Sequence, residues 1–137
     1  MAVIPYINFN GNCREAVNFY TDVFRAEKRN IMTYGDIPAN PDFPMSEASK
    51  KRVMHTYLNI MDGEVMFSDV PEHMPVNMGD NITLTVTGRD EAEIRRIFDR
   101  LKEGGEVTQD LQQTFWSRCY GYVTDRFGIG WQVSLED

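Results

Sequence analysis

Residue types capable of chemistry are few in this chain, with two histidines (His55 and His73) and two cysteines (Cys13 and Cys119). His55 stands in the alternating segment MHTYLNI and shares its parity with Tyr57 and Asn59. An imidazole there is able to act as a base or to hydrogen-bond a ligand near neutral pH. The competing reading is a structural histidine satisfied by Tyr57 or Asn59. His73, between Glu72 and Met74 in a proline-flanked segment, reads as a surface residue. With only these two histidines, the sequence supports no Cys-His pair and no Ser-His-Asp triad. Cys13 falls at the start of a predicted helix, whose dipole lowers a thiol pKa, so mild reactivity is one expectation and a bystander role the other. Glu15, Asp69 and Asp125 each have a structural explanation: a helix cap, a strand end and the turn at Arg126-Phe127-Gly128. There is no C-x-x-C and no zinc-finger spacing, and two cysteines in a cytosolic chain read as reduced thiols.

These residues must be positioned by elements that the hydrophobic pattern outlines. Residues 3–9 read as a strand with Ile7 and Phe9 inward and Ile4, Tyr6 and Asn8 opposite, and Pro5 suits its start or an edge. Asn12 and Glu15 have the form of a capping box, and Ala16, Val17, Tyr20, Val23 and Phe24 give the following helix one apolar face. A second strand is expected within 28–34. Residues 35–51, with Pro38, Pro41 and Pro44 and no sustained period, read as a long loop, either a lid or an insertion without a role.

MHTYLNI and EVMFSD are separated by Met61-Asp62-Gly63, a strong hairpin signal, with Thr56, Leu58 and Ile60 on one face. Residues 71–80 form a connection. ITLTVT then puts Ile82, Leu84 and Val86 on one face and threonines, among them Thr83 and Thr85, on the other. The next helix is framed by Asp90 and Glu93 as a capping box and carries Ile94, Ile97, Phe98 and Leu101, with Gly104-Gly105 as its stop. A strand near 106–109 and a final hairpin complete the chain. The order strand, helix, strand, strand, strand thus occurs twice, with a period of about 75–80 residues. This is an α+β chain of one domain containing two βαβββ modules, about 1–70 and 80–137, with 71–80 as linker. The helix covers one face of each sheet, and the other curves around a cavity or a partner.

Composition narrows the function classes. With 42% hydrophobic and 26% charged residues, the chain is of the globular type. The net charge of −7, from 21 acidic and 14 dispersed basic residues, repels a phosphate backbone. Nucleic acid is therefore not an expected partner, and a cationic or neutral small molecule is. No apolar run approaches the roughly 18–20 residues that span a bilayer. MAVIPYINF lacks the pattern of a signal peptide, so no membrane association and a cytoplasmic location are expected.

"PYINFNGNCREAVNFYTDVF", "MHTYLNIMDGEVMFSD" and "QTFWSRCYGYVTDRFGIGW" resemble the PhnB-like branch of the glyoxalase/bleomycin resistance/dioxygenase superfamily, the vicinal oxygen chelate proteins. The resemblance covers nearly the whole chain. It implies paired βαβββ modules forming a cupped mixed sheet, assembled as a homodimer. This branch is sometimes labelled a demethylubiquinone methyltransferase domain. The chain, however, lacks the Gly-rich strand-to-helix turn and following acid that a nucleotide-like cofactor needs. Metal-dependent relatives hold one divalent ion with four His, Glu or Gln side chains. Carried over by position, those places fall at Ile4, Pro5 or Tyr6, at Met66, at Asn81 to Thr83, and at Gln132. Only Gln132 is a plausible ligand, with Glu64 entering if the register slips. One or two weak ligands do not hold zinc, nickel or manganese, so no metal is expected.

The main expectation is a metal-free binding protein for a small amphipathic ligand. Its contacts are expected from Tyr6, His55, Tyr57, Met66, Thr83, Thr85, Trp116 and Gln132, with Phe115 at the rim. The alternative is a metal-dependent lyase or isomerase of the glyoxalase type, with His55 as the candidate catalytic group and Glu64 and Gln132 as metal ligands. A third reading is a protein whose dimer is its product, with no selective small ligand. Thr114 to Trp131 reads mainly as a fold signature, with Trp131, Val133 and Leu135 in the core and Gln132 facing the other way.

Overall fold

The repeated order of elements becomes two four-stranded sheets of the same connectivity in the computed structural model, which describes residues 1–137. The chain divides into two compact units, Met1–Asn77 and Met78–Asp137. In the first unit the elements are β1 (Tyr6–Phe9), α1 (Cys13–Phe24), β2 (Met32–Thr33), a 3₁₀ turn (Tyr34–Asp36), α2 (Glu47–Lys51), β3 (Val53–Ile60) and β4 (Gly63–Asp69). The second holds β5 (Leu84–Gly88), α3 (Glu91–Leu101), β6 (Glu106–Gln112), β7 (Tyr120–Thr124) and β8 (Gly130–Leu135). The strand orders are β1-β4-β3-β2 and β5-β8-β7-β6. Each sheet is mixed, because β1 and β4, like β5 and β8, run parallel while the other neighbours are antiparallel. The α+β class read from the sequence is therefore correct.

In the first unit the α1 stripe (Ala16, Val17, Tyr20, Val23 and Phe24) is buried together with Phe9, Leu58 and Phe67. Phe67 stacks on both Phe9 and Tyr20, with ring centroids 6.5 and 5.8 Å apart. In the second unit Ile94, Ile97, Phe98 and Leu101 of α3 are buried, as are Trp131, Val133 and Leu135 of β8. Gly121 permits this approach: a Cβ there would stand 2.6 Å from the Phe98 ring.

Several local expectations are corrected. Asn12 precedes α1 but its side chain makes no cap. The cap comes instead from Asp69, whose Oδ1 accepts from the backbone N–H of Gly11 (2.8 Å) and Cys13 (3.0 Å), while Oδ2 accepts from Val53 N–H (2.9 Å). In α3 Asp90 caps through Glu93 N–H as expected, and the Glu93 carboxylate accepts from Arg96. Residues 35–51 are not wholly irregular. Asp36 Oδ2 accepts from Thr33 N–H in the 3₁₀ turn, and Ser46 Oγ accepts from Ser49 N–H to start α2. The hairpin between β3 and β4 closes at Ile60–Gly63, so its two-residue loop is Met61-Asp62, with Met61 at φ 55°. Ile82 precedes β5 and is exposed rather than inward, and the second strand of the first unit is only Met32–Thr33.

Candidate functional site

In each unit the strand alternation that buries one set of side chains under a helix sends the other set to the opposite face of the sheet. In the first unit Tyr6, Met66 and Tyr57 lie side by side across β1, β4 and β3. Tyr6 Oη is 3.2 Å from His55 Nδ1, and the two rings are tilted with centroids 5.8 Å apart. Beyond Met66, Ser68 Oγ donates to Asn8 Oδ1 over 3.1 Å. The structure thus brings Tyr6, His55, Tyr57 and Met66 together on one face.

Arg29 joins this group and was not singled out from the sequence. Its guanidinium lies 5.1 Å from the centroid of the Tyr57 ring, a cation–π arrangement, and its Nη2 is 3.5 Å from Glu27. Its buried Nε has no hydrogen-bond partner. Arg29 sits between α1 and β2, where no periodicity marks which way a side chain points.

In the second unit Gln132 faces away from the helix, between Thr85 and Tyr122 in the strand register. Its amide is held at both ends: Tyr120 Oη donates to Oε1 over 2.5 Å, and Nε2 donates to Thr83 Oγ1 over 2.9 Å. Burial raises the Tyr120 phenol pKa, with a further contribution from Tyr122, so the hydroxyl keeps its proton. Trp116 meets Tyr120 edge to face with centroids 5.2 Å apart, and Phe115 meets Trp116 in the same way at 4.8 Å. Thr83, Thr85, Trp116 and Gln132 therefore cluster, bounded by an aromatic series of which Phe115 is almost fully exposed.

The donor chemistry of these faces does not suit the metal of the metal-dependent relatives. No group of three or more His, Cys, Asp or Glu side chains is arranged to hold an ion. The Gln132 oxygen is engaged by a phenol, and Glu64 sits at the hairpin end of β4 opposite Asn59, two residues from the position level with Tyr6. Carboxylates already occupy part of two helix N-termini. The N–H groups of Gly11 and Cys13 at α1 are taken by Asp69, and α3 is capped by Asp90.

Three further residues resolve as structural. Asp125 is buried and accepts from Phe127 N–H, Ile129 N–H and Trp131 Nε1–H. Asp69 has the capping role already described, and its backbone oxygen accepts from Tyr34 Oη. Cys13 is fully buried, and desolvation, followed by the Asp69 charge, pushes its thiol pKa far upward against a smaller opposing effect of Arg14. Of the two readings of Cys13, this burial favours the bystander over mild reactivity. His73 is exposed, as expected.

A family model described as 3-demethylubiquinone-9 3-methyltransferase matches residues 1–134. The chain belongs to this family. Protein YjdN of Escherichia coli K12 is 27% identical over 143 residues, which is 98% of this chain and 95% of YjdN. Among solved structures, protein PA1353 of Pseudomonas aeruginosa is 33% identical with a TM-score of 0.86, over 99% of this chain and 98% of that one. A PhnB protein of Bacillus cereus, also described as a 3-demethylubiquinone-9 3-methyltransferase, is 26% identical with a TM-score of 0.80, over 99% and 100% of the two chains. The family is thus the PhnB-like branch of the vicinal oxygen chelate superfamily, as the three sequence motifs indicated. No helix is long and apolar enough to cross a membrane.

Proposed function

We propose that this PhnB-like chain is a small-molecule-binding protein that works without the metal of its metal-dependent relatives. The sheet faces opposite the helices are its ligand surfaces. One observation carries the reading: the Gln132 amide is committed to Tyr120 and Thr83, where a relative would present a metal ligand. A phenol, an amide and threonine hydroxyls make a neutral, hydrogen-bonding floor beside the rings of Trp116 and Phe115. Such a surface suits a small ligand with a flat apolar part and a few polar atoms. The acidic balance favours a neutral or cationic one. In this reading the protein acts in the cytoplasm as a homodimer.

Methyl transfer from a nucleotide-like donor is not part of the proposal, because the chain has no Gly-rich strand-to-helix turn and the starts of α1 and α3 each carry a capping carboxylate. A second reading, proton-transfer chemistry of the lyase or isomerase type, draws on the 3.2 Å approach of Tyr6 and His55. Metal analysis of protein purified without chelator separates the two. We expect no stoichiometric metal, no turnover with added nickel or manganese, and raised melting temperatures with members of a small-molecule library, since a ligand that binds only the folded chain stabilises it. Stoichiometric metal bound through Gln132 or Glu64 would sink the metal-free reading.

A further inference from the structure

A cavity of about 610 Å³ lies under the segment between β2 and β3, and it shares no residue with the sheet-face set above. Its volume is in the range of about 300–1,000 Å³ typical of small-molecule sites. Phe43, Pro44, Met45 and Pro71 supply apolar wall. Phe43 leaves 76% of its surface in water, so a ligand here would cover a ring that the chain itself does not.

The walls are fixed by hydrogen bonds. Tyr34 donates through Oη to Asp69 O and through its backbone N–H to Arg52 O, and Ser46 caps α2 while its hydroxyl reaches Glu72. Gly35 lets the turn press against α2, since a Cβ there would stand 3.0 Å from Lys50 O. A site held in this way loses little freedom on binding.

Charge selects the ligand. Asp42 and Glu72 line the cavity; Glu72 is met only by the Ser46 hydroxyl and the Asp42 carboxylate forms no ion pair. The opposing cation, Arg52, is turned to the back wall, where its Nη1 donates to Val70 O (2.9 Å) and Asn10 Oδ1 (3.2 Å). Gly11 leaves room for the guanidinium, since a Cβ there would stand 3.3 Å from Nη2. Arg52 thus spends Nη1 on the protein itself, whereas the Asp42 and Glu72 carboxylates have at most one hydroxyl partner between them and are open to a cation. We propose that this cavity binds a small hydrophobic amine, its apolar body against Phe43, Pro44, Met45 and Pro71 and its ammonium between Asp42 and Glu72.

The test is a titration of the isotopically labelled chain with 2-phenylethylamine, 2-phenylethanol and 3-phenylpropionate, followed by assigned amide resonances. The amine is expected to shift the amides of Phe43, Ser46, Ser49 and Glu72, and to bind roughly threefold to tenfold tighter than the alcohol. The propionate should bind worst. Glu72→Gln and Asp42→Asn, both at exposed positions, should each bring the amine towards the alcohol, and Phe43→Ala should weaken both equally. Amine and alcohol binding alike, a preference for the propionate, or shifts confined to Thr83, Trp116 and Gln132 would overturn the proposal. No shift anywhere at millimolar probe would do the same, leaving the sheet-face reading to its own thermal-shift test.

Discussion

Tyr120 donates its phenol proton to the amide oxygen of Gln132 over 2.5 Å, and the same amide donates to Thr83. Removing different members of this chain strands different groups. Tyr120→Phe leaves one acceptor without its donor and should cost about 1 kcal/mol of stability. Gln132→Leu strands both the phenol and the Thr83 hydroxyl, and should cost about 1–3 kcal/mol. Urea unfolding of the two variants is the check, and equal stability with the parent chain would show that the network contributes nothing.

Asp69 serves three backbone donors, Gly11, Cys13 and Val53, from a buried position. Asparagine keeps the shape but turns an NH₂ towards at least one of these N–H groups. Asp69→Asn should destabilise the protein by about 2–4 kcal/mol, since charge-assisted bonds are lost and a donor is left facing a donor. Glu15→Gln, on the exposed side of α1, serves as the control and should change little.

The raised pKa of the Cys13 thiol has a sign that alkaline titration can read. The folded chain keeps its proton above the ordinary thiol value of 9.0, while the unfolded chain loses it. The unfolded state then binds fewer protons, so stability falls with rising pH, by about 1.4 kcal/mol per unit for one such group. Below pH 9 the group contributes no slope. The urea midpoint should therefore drop above pH 9, and Cys13→Ala should flatten part of that drop. Cys119 shifts in the same direction through burial and supplies part of the remainder. In native protein at pH 8, Cys13 should react with a thiol reagent only as fast as the chain opens.

The two tryptophans should separate cleanly by fluorescence. Trp131 is 1% exposed and bonded to Asp125, while Trp116 is 55% exposed. Trp116→Phe should leave a blue-shifted emission that acrylamide barely quenches. A ligand on the sheet face of the second unit should alter the Trp116 signal and leave that of Trp131 unchanged. Equal quenching of both would mean that the β8 core opens readily.

Elements set by local periodicity were legible. The stripes of α1 and α3 are buried residue for residue, and the parity of β3, β4 and β8 placed Tyr57, Met66 and Gln132 away from the helices. What depended on distant partners was not legible. The cap of α1 comes from a residue 56 positions from Cys13, so the local pair Asn12 and Glu15 misled. α2 was hidden because five residues give too short a run for an amphipathic period. At the start of β3 the β2 pairing shifts register between Thr33–Val53 and Met32–His55, an irregularity that alternation does not signal. The cavity below Phe43 lies among prolines and polar residues that have no pattern to read.

The differing origins of the two helix caps bear on the order in which the chain folds. Asp90 caps α3 from the adjacent residue, so that helix gains its start as soon as its own turn forms. α1 receives its cap only when the end of β4 has been drawn in, which requires closing a loop of most of the first unit. A peptide of residues 78–105 should show nascent helix in water, and one of residues 1–30 should show less. In refolding, Asp90→Ala should slow the gain of helix, while Asp69→Asn should act mainly by speeding unfolding.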